Sequence, residues 1–176
     1  MPKWVIDPDH SVGAFSIRHM MIAHVHGQMN RVSGTVHLDT DDITSLTVEL
    51  EIDISSILTG IQKRDDHLKS QDFFNIERYP KITFRSSNAE RTGFNICQVS
   101  GEITIHGTTL PLSLEVVISG PVKSPFGETS IGLTVRTTLN REDFGMTWNE
   151  PMEKDGLMVG REVDISVNIE ADLTPE

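Results

Sequence analysis

The sequence predicts an all-β fold, an extended antiparallel barrel of about eight strands with one short helical insert. Two observations predict the barrel: apolar and polar residues alternate strictly along most of the chain, and the connections between the alternating runs are short. A third observation, the loss of alternation over residues 55–78, predicts the insert. Closure into a barrel removes the exposed edges that such long strands would otherwise present, although a sandwich of two sheets has the same alternation.

The alternating runs predict the strands in chain order. They cover residues 12–20, 25–38, 45–54, 81–89, 94–106, 109–118, 131–139 and 163–170. Within the run over 94–106 the apolar parity changes between Ile96 and Val99, which predicts a β-bulge near residues 97–98. After the run over 131–139, Gly145 allows a positive φ, so that Phe144 is able to turn back toward the core.

Composition limits the class of protein. The chain has 176 residues, of which 15 are basic and 26 acidic, and a formal net charge of −11. A chain of this length buries about 70 % of its unfolded surface, which is enough for one domain over residues 1–176. The negative charge disfavours nucleic acid as a partner, because no stripe of basic residues offsets it. The single cysteine, Cys97, makes no intramolecular disulfide, and no apolar run is long enough for a signal peptide or a transmembrane helix, so we expect a cytoplasmic protein.

The inward-facing side of the predicted strands carries long apolar side chains. A barrel of eight strands is either filled by its own side chains or hollow enough for one small ligand, and the alternation alone favours neither. A hollow barrel would be lined by the residues on the apolar parity: Phe15, Ile17, Phe84, Ile105, Leu112, Leu114, Val135 and Phe144. Residues 148–159, which begin with Trp148, are too apolar for a solvated loop and predict either a lid or the contact surface of a homodimer.

Motifs of catalysis are absent from the sequence. It contains no Gly-x-Ser-x-Gly turn, no glycine-rich phosphate loop and no His-Glu-x-x-His. We therefore expect a protein that is not an enzyme and that needs no cofactor.

Three histidines leave a metal site open as an alternative. His24 and His26 have the spacing of metal ligands on one strand, and His19 is able to approach from the preceding strand. If the parity of Val32 and Val36 extends back along the chain, His24 and His26 point inward. The other interpretation is that these histidines are solvated or hydrogen-bonded, since the sequence identifies no further ligands beside them.

The predicted insert concentrates charge and aromatic residues. Residues 64–68, RDDHL, include Arg64, Asp65 and His67, which either form a polar mouth that recognises a ligand head group or tie the helix to the barrel rim. We expect Phe73 and Phe74 to anchor the insert in the apolar interior. Because the insert is the segment that interrupts the strands, it is the predicted gate of the barrel.

Short motifs occur in a fixed order along nearly the whole chain. They are WVIDPDHS (4–11), FSIRH (15–19), VSG (32–34), RDDHLKSQDFF (64–74), YPKITFRS (79–86), GEITIHG (101–107) and NREDFG (140–145). With these motifs the chain resembles the YceI-like family of lipocalin-like, polyisoprenoid-binding proteins. The resemblance implies a hollow eight-stranded barrel, similar to those of streptavidin and the lipocalins, whose lumen holds a long isoprenoid tail.

The resemblance also implies a function. We expect a non-enzymatic protein that carries or sequesters an isoprenoid or other long-chain lipid, such as a polyprenyl phosphate or an isoprenoid quinone. The predicted ligand-binding residues are the lumen set above together with His19, Arg64, Asp65, His67, Phe73, Phe74 and Trp148. The alternatives are a metal-dependent enzyme or binder that uses His19, His24 and His26, and a filled barrel that serves as an interaction module.

Overall fold

The computed structural model describes residues 1–175, apart from the side chain of Asp155, and consists of one antiparallel sheet with one α-helix in that part of the chain. The strands are β1 (Lys3–Ile6), β2 (Val12–His19), β3 (Ala23–Met29), β4 (Val32–Asp39), β5 (Asp42–Asp53), β6 (Ile57–Leu58), β7 (Lys81–Arg91), β8 (Ile96–Ile105), β9 (Thr108–Lys123), β10 (Thr129–Asn140) and β11 (Val159–Leu173). The helix is α1 (Gln62–Lys69). No helix of the described chain is long and apolar enough to span a membrane.

Eight strands form a closed ring in the order β1-β4-β5-β7-β8-β9-β10-β11, and β11 pairs back with β1. The predicted eight-stranded antiparallel barrel is thereby confirmed. The other three strands branch from the ring, because β11 pairs with β1 over residues 171–173 and with β2 over residues 159–168 along the same edge. β3 and then β6 continue this branch.

The branch gives the barrel two different ends. At the closed end, which carries the β4–β5 and β9–β10 turns, ladder hydrogen bonds complete the ring. At the open end, β2 and β3 form a flap, and the insert that contains α1 lies between this flap and the rest of the wall. Side chains fill the closed half: Val36, Leu38 and Val99 are completely inaccessible to solvent.

Two details of the predicted strands are wrong. The run over 25–38 is not one strand, because the chain turns at Asn30 and Arg31, and β3 and β4 then pair with different strands. No bulge interrupts β8, which pairs with β9 in one register along its whole length. Phe94 lies in the turn before β8 and is 90 % exposed, so its parity says nothing about the strand. The register shift lies in β7 instead, between Ser86 and Asn88.

Thr59, which precedes α1, holds the insert in place. The buried carboxylate of Asp65 accepts hydrogen bonds from the backbone N–H (2.8 Å) and the hydroxyl (2.5 Å) of Thr59. The guanidinium of Arg64 donates to the hydroxyl oxygen (2.7 Å) and the carbonyl (2.8 Å) of the same residue. Both charged side chains therefore tether α1 to the chain that leaves β6.

A second local anchor joins β1 to β2 through the turn Pro8–His10. The carboxylate of Asp7 accepts from the N–H of Asp9 (2.9 Å) and is 2.6 Å from Nδ1 of His10. The hydrogen bond to Asp7 raises the pKa of His10, and the same bond lowers the pKa of Asp7. The pair is therefore an ion pair in the pH window between the two pKa values.

Replacing Asp65 should weaken the tether of the insert. We expect Asp65→Ala to lower the free energy of unfolding by about 1–3 kcal/mol, since the two donors of Thr59 lose their acceptor in a half-buried place. Urea denaturation measures this difference. The matched control is Asp66→Ala, which removes an exposed carboxylate that accepts only from Gln62 within α1 and should change stability by less than about 0.5 kcal/mol. Equal effects of the two substitutions would contradict the tether.

Replacing Asp7 should return His10 to ordinary titration. We expect Asp7→Asn to lower the pKa of His10, measured by NMR titration of its ring, because the neutral amide no longer favours the imidazolium. In the parent protein the stabilisation by His10 is complete below the ordinary histidine pKa and is lost as the pH rises through the raised value. The stabilisation by Asp7 is complete above the ordinary aspartate pKa and is lost as the pH falls through the lowered pKa of Asp7.

Asp9→Asn is the control for this titration. Asp9 makes no hydrogen bond to the His10 ring, and of the groups that raise the pKa of His10 it has the smallest effect. An unchanged His10 titration in Asp7→Asn would contradict the assignment.

Candidate functional site

The open half of the barrel encloses a cavity of about 270 Å³. Its walls come from β2, β3 and β11 on one side and from the insert on the other, and the segment 141–158 covers it. The lining is almost entirely apolar. It consists of Gly13, Ala14, Phe15, Ile17, Arg18, His19, Val25, Met29, Ile52, Arg64, His67, Leu68, Phe73, Phe74, Ile82, Ile105, Leu139, Arg141, Phe144, Met146, Trp148, Met158, Val159, Val163, Ile165 and Val167.

Apolar side chains that point inward in the open half remain accessible. Phe15 and Ile17 of β2, and Val163, Ile165 and Val167 of β11, are only half-buried although they line the cavity. On β10 and β11 in the closed half, Ile131, Leu133 and Ala171 are at most 2 % exposed. Water in contact with these side chains is unfavourable, so the open half suits the binding of an apolar molecule.

Aromatic rings join the insert to the segment that covers the cavity. The ring of His67 lies edge-on to Phe73 (5.0 Å between centroids) and to Trp148 (4.7 Å). Phe73 and Trp148 are 5.4 Å apart. Nε2 of His67 is 2.8 Å from a carboxylate oxygen of Asp72, which orients the imidazole. The insert and the cover therefore contact each other above the cavity.

The turn after β10 begins and ends as the sequence predicts. The side chain of Asn140 accepts the N–H of Glu142 (2.9 Å), and the turn ends at Gly145 with φ of 77°. Phe144 is 3 % exposed and lines the cavity. The positive φ expected at Gly145 and the inward turn of Phe144 are both confirmed.

Arg141 is a buried cation at the edge of the cavity. Its guanidinium donates to the carbonyl oxygens of Gly160 (2.7 Å), Met146 (2.7 Å) and Val159 (3.3 Å), and it lies 5.9 Å from the centroid of the Phe73 ring. Burial lowers the pKa of Arg141, but a guanidinium keeps its charge in proteins. The residue thus fastens both ends of the covering segment to the barrel.

The polar groups of the lining are few. They are the side chains of Arg18, His19, Arg64 and His67, together with Arg141. Among the lining residues of the described chain there is no carboxylate, hydroxyl or thiol side chain. The arrangement suits binding of a molecule that has an apolar body and a polar end.

Most of the residues selected from the sequence lie at this cavity. The lining includes Phe15, Ile17, His19, Arg64, His67, Phe73, Phe74, Ile105, Phe144 and Trp148. Five do not line it: Asp65, Phe84, Leu112, Leu114 and Val135. The last four pack with the core that fills the remaining interior, whereas Asp65 is bonded to Thr59. Ligand contact by these five stays a prediction, and the geometry places them away from the cavity.

Sequence reasoning missed several lining residues. Val163, Ile165 and Val167 lie on the apolar parity of β11, so the alternation that located the strand was a sufficient signal for them. Arg141 and Met146 had no such signal, since the burial of Arg141 depends on the carbonyl groups of Met146 and Gly160, and that of Met146 on packing with Ile105 and Phe144.

The expectation that His24 and His26 point inward is wrong. Both are exposed, and Val25 and Met29 take the inward positions of β3. The turn at residues 30–31 resets the parity between β3 and β4, so the pattern of β4 does not extend back. His19 does line the cavity. Within residues 1–175, one group of three potential metal ligands converges, and it contains none of these histidines but Asp7, His10 and Glu170 at the surface.

The covering segment does not present its apolar residues as an open face. Trp148 and Met158 line the cavity, and Leu157 is half-buried. The expected lid is therefore the better description of residues 148–159, and a homodimer through this segment stays a prediction.

Comparison with known proteins identifies the family. The family model for the YceI-like domain matches residues 4–171. The UPF0312 protein SA2479 of Staphylococcus aureus (strain N315) is 33 % identical over 171 residues, which are 97 % of each chain.

Solved structures share the fold. Burkholderia cenocepacia BcnA superposes with a TM-score of 0.82 at 21 % identity over 94 % of this chain and 98 % of its own. The Campylobacter jejuni YCEI protein gives 0.76 at 25 % identity over 90 % of each chain. A polyisoprenoid binding domain from Saccharophagus degradans gives 0.75 at 12 % identity over 97 % of this chain and 98 % of its own. From the match over nearly its full length and these relatives, the chain belongs to the YceI-like domain family.

Proposed function

We propose that the protein is a non-enzymatic carrier or sequestering protein for an isoprenoid lipid, a polyprenyl phosphate or an isoprenoid quinone, held in the open half of its barrel. The observation that carries the proposal is the enclosed apolar cavity whose inward side chains remain half-exposed. The polyisoprenoid binding domain of Saccharophagus degradans, which shares the fold, supports the choice of ligand class.

The energetics favour an apolar chain. Burial of each methylene group stabilises a complex by about 0.8 kcal/mol, so a chain segment of about ten carbons contributes on the order of 8 kcal/mol before the loss of its freedom is subtracted. Carbon atoms that extend beyond the cavity gain nothing further. Affinity should therefore rise with chain length and then level off.

The polar end of the ligand would lie at the rim. Arg18, His19, Arg64 and His67 offer donors there, and Arg64 keeps its position because Thr59 holds the guanidinium. Asp65 acts in this proposal as a tether and not as a head-group contact. Within residues 1–175 no carboxylate, hydroxyl or thiol side chain lines the cavity, and this supports binding without catalysis. The cytoplasmic location expected from the sequence stays a prediction.

Native mass spectrometry of the freshly purified protein, followed by organic extraction and lipid identification, tests the proposal. The expected result is a stoichiometric isoprenoid lipid in the extract. A protein that carries no lipid and takes none up from detergent micelles of geranylgeranyl phosphate or of an isoprenoid quinone would overturn it.

Filling the cavity should displace the lipid without unfolding the barrel. We expect Ile165→Trp to reduce the bound lipid at least about tenfold, since the indole occupies space in a void and not in packed core. The matched control is Asn168→Trp on the same strand, where the side chain is exposed. The ratio of lipid to protein in the extract and the thermal melting temperature are measured for both. Full lipid retention in a folded Ile165→Trp protein would contradict the site.

Metal removal should leave the protein unchanged. We expect exhaustive chelator dialysis to alter neither melting temperature nor lipid content, and His24→Ala combined with His26→Ala to change stability by less than about 1 kcal/mol, because both imidazoles are exposed. A stoichiometric metal that survives purification without an affinity tag, and whose removal lowers the melting temperature, would contradict this expectation.

A further inference from the structure

The turn between β2 and β3 is an apolar projection at the open end. Met20, Met21 and Ile22, which we call the apolar tip, are 39 %, 51 % and 83 % exposed. The tip borders the cavity on both sides: His19, which precedes it, lines the cavity, and the N–H of Met20 donates to the carbonyl of the lining residue Met158 (2.7 Å).

Turn chemistry does not account for these residues. Met20 and Met21 have φ of 51° and 62°, in the left-handed region where asparagine and glycine are favoured. Apolar side chains therefore stand in a strained turn and in contact with water. Three adjacent apolar side chains at the surface are typical of a contact site for another molecule or a membrane.

Half of the backbone polar groups of the tip are bonded within the protein. Besides the bond from Met20, the N–H of Ile22 donates to the carbonyl of His19 (3.2 Å), and the guanidinium of Arg18 donates to the carbonyl of Met21 (2.9 Å). These three groups need no partner from the surroundings of the tip, which lowers the cost of placing the tip among lipid head groups, where water still reaches the remaining groups.

Charge at the base of the tip complements lipid phosphates. Arg18 is exposed there, and its cross-strand neighbour is His24, although the whole chain carries a net charge of −11. Glu150 is also exposed on the adjacent segment, where its carbonyl accepts the N–H of Met158. Insertion of apolar side chains should consequently contribute more than attraction to anionic lipid.

We propose that the apolar tip inserts into the interfacial region of a lipid bilayer, so that the cavity mouth faces the membrane that supplies its ligand. The proposal rests on the proposed function. A bilayer is a better occupant than a second copy of the chain, because a stable protein interface buries about 800 Å² on each partner and a convex turn of three residues offers no such face. Bilayer interfaces accept apolar side chains flanked by arginine.

Vesicle flotation tests the contact. Wild-type protein should float with phosphatidylcholine vesicles, and with vesicles of phosphatidylcholine and phosphatidylglycerol to a similar extent. The variant Met21→Asn with Ile22→Ser should partition at least about tenfold less, equivalent to about 1.4 kcal/mol. Asparagine tolerates a positive φ, so the turn keeps its shape, and thermal melting checks the fold. The matched control is Phe126→Ser, which removes a side chain that is 90 % exposed at the closed end and should leave partitioning unchanged.

Transfer of a defined lipid separates docking from binding. Uptake of geranylgeranyl phosphate by the tip variant should be slower than by wild type from vesicles and equal from detergent micelles. Equal slowing from both sources would place the tip in the cavity and overturn docking.

Three other outcomes are decisive. Lipid-loaded wild type that does not float overturns docking while the proposed function stands, whereas protein that floats but holds no lipid overturns the proposed function. Self-association that is lost in the tip variant, measured by light scattering, would assign the tip to a second copy and overturn docking to a bilayer.

Discussion

One edge of β11 is shared between two strands, and the architecture of the barrel depends on this division. The end of β11 pairs with β1, and the rest of the same edge pairs with β2. The junction is held at Glu170, whose carbonyl accepts from the N–H of Asp7 (2.9 Å) and whose N–H donates to the hydroxyl of Ser11 (3.1 Å). Because β1 closes the ring and β2 leads away from it, one half of the barrel is sealed by a ladder and the other is left with a gap.

The gap explains why one half of the interior is filled and the other hollow. In the closed half, strands stay at ladder distance and their side chains interdigitate to the density of a protein core. In the open half β2 and β3 lead away from the ring, and the insert occupies the gap without filling the interior. A cavity bounded by the flap and the insert therefore remains. Its apolar lining consists largely of inward-facing residues of the strands, as does the core of the closed half.

Polar residues hold the insert and the covering segment in place and leave the cavity apolar. Asp65 and Arg64 direct their charges at Thr59, and Arg141 directs its charge at the carbonyl oxygens of the covering segment. Each of these charged side chains thus holds a loop to the barrel, and its hydrogen bonds offset the cost of removing the charge from water. The aromatic contact of His67 with Trp148 joins the insert to the covering segment without such a bond.

The sequence by itself determined most of the strands and the insert, because alternation of polarity is a local property that a half-buried strand imposes on its own residues, and it favoured a closed barrel over a sandwich. It also selected Phe15, Ile17, Phe144 and Trp148, which do line the cavity. Only the tertiary structure decided that Leu114 lies in filled core, and that His24 faces solvent, since both depend on which strands become neighbours and on where a turn resets the parity. Alternation predicts which side of a strand faces the interior. Whether that side meets another side chain or a cavity depends on the distance to the opposite wall of the barrel, and that distance is a property of the closed sheet.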